Sequence, residues 1–242
     1  MTRKHLKSYL EDEWDMSEVN DLSDKEIEIM YNSKVPHKSQ FSSLGQATGC
    51  NFSLEHKYIP SHILHVIYFQ FPELGEPPLK LTKICADKIK ALYESGTMDA
   101  DESLVIIIAN PISDTVSVAM EETQLFLTQE LLRKGITDEI ASELEEVSGM
   151  YDKRHLANIH LFSLDHLSID IRNHVLVPRH ECIRDEGIIQ EILSNCNATR
   201  DQFPIIQRTD PQAKIMRMAP GDICKIMRRT LAGEVSTFRV CA

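Results

Sequence analysis

The sequence predicts a two-domain α/β protein, and three features carry that expectation. A mostly apolar run from His62 to Phe69, a helical repeat from Leu81 to Leu92 and a β-branched run from Leu104 to Ile108 make a strand, helix, strand unit. The charge balance reverses along the chain: residues 171–242 hold 11 Lys/Arg against 8 Asp/Glu, residues 1–170 hold 15 against 29, and the total is −11. Near the end, turn signals bracket two apolar runs at hairpin spacing.

Taken in order, Met1 to about Asn51 is acidic and weakly periodic. Asp24 to Tyr31 has the spacing for two helical turns, and the Ser-rich stretch from Ser39 to Gly49 reads as loop. Ile63, Leu64, Val66, Ile67 and Phe69 suit a buried strand closed by Pro72 and the Gly75 to Pro78 breaker. Leu81, Ile84, Cys85, Ile89 and Leu92 recur at three and four, and Gly96 stops that helix. Leu104 to Ile108 lacks polar alternation, as expected of a parallel strand covered on both faces. Glu121 to Lys134 and Thr137 to Val147 read as a helical hairpin broken at Gly135, with Thr137 as N-cap. Ile159 to Phe162 is a short strand. Beyond Pro178, Cys182 to Leu193 is helical by spacing, and Asp210-Pro211 sets an N-cap before a first-turn proline. Pro220-Gly221-Asp222 turns into Ile223 to Met227, and Gly233 precedes Val235 to Val240, which predicts an antiparallel hairpin.

Composition excludes several classes. With 242 residues, 42% of them hydrophobic, the chain has ample length for a core. Its longest apolar run, Leu104 to Ala109, falls far short of the about 20 residues that span a bilayer. Acidic Glu11, Asp12, Glu13 and Asp15 stand where a secretory signal would place its apolar stretch, so an intracellular protein is expected. The six cysteines (50, 85, 182, 196, 224 and 241) form no CxxC pair and read as reduced thiols. Two thirds of the chain is too acidic to hold nucleic acid on a broad basic face.

Candidate chemistry is sparse. His174, His180 and Cys182 offer two imidazoles and a thiolate at a spacing that matches no zinc motif. His62 and His65, three apart on a strand, point to opposite faces. A two-metal nuclease needs acidic residues and a lysine on rigid strand ends, whereas Glu73, Glu76 and Lys80 surround a Pro-rich turn. No GxGxxG, Walker loop, GxSxG or HExxH occurs, so neither a cofactor nor a metal is expected.

The last seventy residues carry an ordered set of phrases. These are His174-Val175-Leu176-Val177-Pro178-Arg179-His180, Asp201-Gln202-Phe203-Pro204-Ile205-Ile206, Asp210-Pro211-Gln212-Ala213-Lys214, Pro220-Gly221-Asp222-Ile223-Cys224-Lys225-Ile226-Met227-Arg228 and Ala232-Gly233 closing with Phe238-Arg239-Val240. The set resembles the fifth subunit of eukaryotic-type DNA-directed RNA polymerases, whose carboxy-terminal module corresponds to a small subunit of the archaeal enzyme. Upstream, Val66 to Phe71, Leu79 to Leu92, Leu104 to Asn110 and Ile159 to Ile171 are fainter matches to the family's amino-terminal jaw. Residues 121–154 look like an insertion, and no opening helix is recognisable before Tyr58. The family's Arg after Asp-Pro is Lys214, its Gly near Met218 is Arg217, and the Arg228 to Gly233 loop is one residue short.

The resemblance implies an α/β jaw of nuclease-like outline without an active site over residues 1–170. It implies a small α+β assembly domain with a mixed sheet over 171–242. It further implies a non-catalytic subunit whose assembly domain docks on the largest polymerase subunit among others, while the jaw lines the cleft where downstream duplex DNA enters. Nuclear location, or a viral replication site or virion, follows, with no membrane or small-molecule partner. The implied assembly residues are His174, Pro178, His180, Pro204, Asp210, Pro211, Lys214, Gly221, Asp222, Lys225, Arg228, Gly233 and Arg239. The implied DNA-proximal loop is Pro111 to Thr115, with Ser113 and Asp114 in it.

Overall fold

The computed structural model describes residues 2–32, 47–73, 75–77, 84–147, 149–231 and 233–242, and the chain divides into two compact units. One comprises Met1–Ala141 with Leu156–Ile169, the other Ser142–His155 with Asp170–Ala242. The expected loop over 39–46, Pro78, Lys80 and the start of the helix at Leu81 lie outside the described residues.

The first unit is built on a four-stranded sheet in the order β1 (Phe52–Glu55), β2 (Ile63–Phe69), β3 (Ser103–Ile108), β4 (Ile159–Ser163). β1 runs antiparallel to β2, and β2, β3 and β4 are mutually parallel. Every residue of β3 is buried, which is why that strand is apolar throughout; its one polar residue, Ser103, accepts the Asn158 amide at 3.0 Å.

Among the described residues the helices of this unit are α1 (Thr2–Leu10), α2 (Asp24–Asn32), α3 (Ile84–Glu94), α4 (Asp114–Lys134) and α6 (Leu164–Ser168), and α5 (Asp138–Glu146) begins in it and continues into the segment from Ser142 that groups with the second. α1 corrects the reading that no opening helix is recognisable before Tyr58. Its surface is basic, but Leu6, Tyr9 and Leu10 share a face that packs on α6, and Tyr9 donates its hydroxyl to the Ile169 carbonyl at 3.3 Å.

α4 also departs from expectation: it begins at Asp114, seven residues before Glu121, because Val116, Ala119 and Met120 already face the core. The expected loop at Pro111 to Thr115 therefore ends at Ser113, and Asp114 and Thr115 form the helix's first turn. Gln124 pins α4 to the start of β4, donating to the Ala157 carbonyl at 2.9 Å and accepting the Ile159 amide at 2.7 Å. Gly135 ends the helix at φ +81°, where a side chain would be strained, and Thr137 caps α5 by accepting the Ile140 amide at 3.3 Å. The 121–154 segment is thus divided: its first part supplies Leu127 and Leu131 to one core, while residues 142–155 group with the second unit.

The second unit carries β5 (Arg179–Ile183), α7 (Glu186–Asn195), β6 (Ile205–Ile206), α8 (Pro211–Ile215), β7 (Ile223–Thr230) and β8 (Gly233–Cys241). Its sheet runs β5, β7, β8, β6 and is mixed: β5/β7 and β7/β8 are antiparallel, β6/β8 parallel. The expected helix from Cys182 starts later. Cys182 and Ile183 are strand residues paired with Cys224 and Ile223, and Asp185 caps α7 by accepting the Ile188 amide at 2.9 Å. One cluster joins Ile189 and Leu193 of α7 to Ile223; another joins Ala213 of α8 to Ile206, Met218, Cys224, Ile226 and Cys241. Among the described residues no helix is long and apolar enough to cross a membrane.

Candidate interaction surface

Within the second unit, the residues singled out by sequence fall into two groups. The first holds the fold. Asp210 accepts the Gln212 amide at 2.8 Å and Pro211 opens α8, as their order predicts. Lys214 is buried on that helix. The Pro204 carbonyl receives the Val240 amide at 2.9 Å, and Arg239 donates to the Ile205 carbonyl at 3.0 Å, so both residues tie β6 to β8. Lys225 faces Glu181 across β5 and β7 at 3.7 Å. Gly233 closes the β7/β8 turn at φ +120°, with its carbonyl accepting the Thr230 hydroxyl.

Asp222 is the centre of this group and is fully buried. One carboxylate oxygen lies 3.0 Å from His155 Nε2. The other accepts the Ala219 amide at 2.9 Å and lies 3.6 Å from Arg184 Nε. His155 turns its other ring nitrogen to Asp152, 3.3 Å away, so the imidazole bridges two carboxylates. Burial opposes charge on the ring, but hydrogen bonds to Asp152 and Asp222 and the charge of Asp222 outweigh it and raise the pKa. Burial likewise works against the Asp222 anion, yet His155, Arg184 and the Ala219 amide hold its pKa below the usual value. Arg154 donates to the Pro220 carbonyl at 3.0 Å beside Gly221, whose φ of +96° and closeness to that guanidinium leave no room for a side chain. Arg217 stands at φ +49°, a conformation that accounts for the glycine expected there.

The second group is exposed or half-buried. His174 lies in the turn before β5 and accepts the Leu176 amide at 3.3 Å, followed by Pro178, whose carbonyl is 2.7 Å from His180 Nδ1. Between them Val175 and Leu176 are 91% and 83% exposed. Sequence reasoning passed over this pair, although two adjacent aliphatics inside the His174 to His180 phrase were there to be read. Arg228 stands opposite Val235 on the part of the β7/β8 ribbon that projects past β5, and Leu231 at the ribbon's end is fully exposed.

Among the described residues the His174, His180 and Cys182 set is not gathered on one point. His180 turns to the Pro178 carbonyl, while Cys182 Sγ lies 3.7 Å from Asp222. Among the described residues no group of three or more His, Cys, Asp or Glu is gathered as a metal ion requires, and Lys80 of the Glu73, Glu76, Lys80 set is outside them. Cys50, Cys182, Cys196, Cys224 and Cys241 are free, and burial pushes the thiols of Cys224 and Cys241 up to about 11 and about 12. What the unit presents is a buried, hydrogen-bonded turn network and, at Val175 and Leu176, an exposed aliphatic pair.

Comparison with known proteins converges on this unit. Residues 169–241 match the family model described as RNA polymerase Rpb5, C-terminal domain. The chain is 40% identical over 74 residues to a DNA-directed RNA polymerase subunit Rpo5 of Sulfurisphaera tokodaii, covering 30% of this chain and 87% of that one. It is 41% identical over 73 residues to the Rpo5 of Saccharolobus solfataricus (29% and 84%) and 36% identical over 72 to that of Archaeoglobus fulgidus (30% and 93%).

Proposed function

This chain belongs to the family of RNA polymerase fifth subunits, Rpb5 and its archaeal counterpart Rpo5, and from that membership we propose that it is a non-catalytic subunit whose second unit docks on the largest polymerase subunit. The observation that carries the docking is the exposed Val175-Leu176 pair in the His174 to His180 turn. Two adjacent aliphatics held in water gain free energy only when something covers them, at about 25 cal/mol per Å² of apolar surface. His174, Pro178, His180 and Arg228 flank that docking surface. Pro204, Asp210, Pro211, Lys214, Gly221, Asp222, Lys225, Gly233 and Arg239 shape it from beneath.

In this reading residues 1–170 form the jaw and 171–242 the assembly domain. The mixed sheet of the first unit, with its three parallel strands, supports a nuclease-like outline. The turn from Pro111 to Ser113 lies near downstream duplex DNA in the assembled enzyme, positioned there by the other subunits because residues 1–170 carry net −14.

The test is capture. Full-length chain carrying Val175→Asp and Leu176→Asp keeps its melting temperature and no longer co-purifies with the largest subunit, whereas wild type does. Unchanged capture moves the interface elsewhere. Cleavage of DNA by the isolated wild-type chain with added magnesium favours a stand-alone nucleic-acid-processing protein instead.

A further inference from the structure

α4 is apolar on two opposite faces. Val116, Met120, Thr123, Leu127 and Leu131 are buried in the first unit. Diametrically across the helix, Val118, Leu125 and Leu132 are 54%, 60% and 71% exposed. They follow one another at seven residues, two turns each, so they form a single line from Val118 to Leu132 on the 21-residue helix. A surface helix ordinarily turns a polar face outward; here one apolar residue per heptad lies outward, half of the a/d pattern of a coiled-coil seam, with polar Glu121, Glu122, Thr128 and Gln129 in between. Glu121 and Glu122 are exposed on either side of the stripe between Val118 and Leu125, and Asp114 lies at its start.

We infer that the outward face of α4 is a docking surface for a basic amphipathic helix of a partner protein. Charge selects the occupant. A second copy would bring net −14 in residues 1–170 against the same −14. A helix with Leu on one seam and Lys or Arg beside it covers the stripe and meets Glu121 and Glu122 with opposite charge. The inference is independent of the docking proposed for the second unit.

The probe is a synthetic helical peptide with Leu every seventh residue flanked by Lys, compared with a twin flanked by Glu, each titrated into the full-length chain by fluorescence anisotropy. The Lys peptide binds at least tenfold tighter than the Glu twin. The pair Leu125→Ser and Leu132→Ser, which leaves charge unchanged, lowers its affinity at least tenfold at the same melting temperature. Glu121→Lys with Glu122→Lys removes the preference for the basic peptide. Equal binding of both peptides, or binding that survives the Leu replacements, overturns the inference, as does a reversible dimer in sedimentation that Leu125→Ser abolishes. In the assembled polymerase, a photoreactive residue at position 125 crosslinks to a basic helical segment of another protein; crosslinks to DNA or to a second copy overturn it. Because assembly itself is read from the Val175, Leu176 variant, failure of the seam and failure of the subunit assignment give different results.

Discussion

Asp222→Asn is the sharpest perturbation of the second unit. The native carboxylate is fully buried and meets His155 at 3.0 Å, the Ala219 amide at 2.9 Å and Arg184 at 3.6 Å. Removing one partner of a buried charge pair costs about 3–5 kcal/mol because the other charge stays behind, and Asn retains one acceptor, so we expect about 3 kcal/mol. Hydrogen exchange read by mass spectrometry is the assay: peptides from β7 and from residues 213–222 should exchange about 100-fold faster, tenfold per about 1.4 kcal/mol. Trp14, buried in the first unit, gives an independent fluorescence control that should not move. The pH dependence has a sign. His155 has a raised pKa in the folded chain, so its contribution is complete below its unfolded value near 6.5 and is lost as pH rises through the higher folded value. Asp222 and Asp152 have lowered values, so theirs is complete above about 4 and is lost as pH falls through their folded values. Wild-type protection in the second unit should therefore peak between about 4 and 6.5, and His155→Gln should erase its alkaline decline. A change in exchange below about threefold in Asp222→Asn, or a decline between about pH 6.5 and 8, below the range where the buried thiols contribute, that persists in His155→Gln, refutes the bridge.

Asp210→Ala should cost about 1 kcal/mol in urea unfolding while leaving polymerase capture intact; normal stability with lost capture would make Asp210 a contact residue instead of a cap. Gly221→Ala should cost roughly 1–2 kcal/mol from the left-handed backbone, with added displacement of Arg154, and thermal unfolding of the variant checks it. Leu127→Ala, at 1% exposure on α4, should destabilise the first unit by about 2–5 kcal/mol, seen as an earlier Trp14 transition. The isolated chain should show no measurable duplex binding near physiological salt; tight, salt-sensitive retention in a filter-binding assay would reveal a basic groove made by folding.

The strand, helix, strand unit and the β7/β8 hairpin were legible because each rests on local apolar periodicity, and the Asp210-Pro211 start was legible because capping is a matter of adjacent residues. α1 was hidden because its apolar residues are few and meaningful only against α6. Cys182 and Ile183 were misassigned because spacing alone joined them to the apolar repeat of α7, while their pairing partners lie about forty residues away on β7. The site was legible as a set of phrases and not as an arrangement. His155 and Asp222 are 67 positions apart, and no local signal connects them.

The interleaving of the units bears on how this chain matures on the ribosome. β3 is central in its sheet, yet its neighbour β4 emerges some fifty residues later, after α4, α5 and residues 142–155, which belong to the other unit. Synthesis at about 5–20 residues per second leaves one side of a strand that ends fully buried without its partner for several seconds, long enough to matter for a nascent chain. The 142–155 segment in turn waits for Asp222. Completion of both units is thus set by late-arriving chain, so a nascent product arrested near residue 155 should depend on chaperone protection, and one released past residue 222 should not.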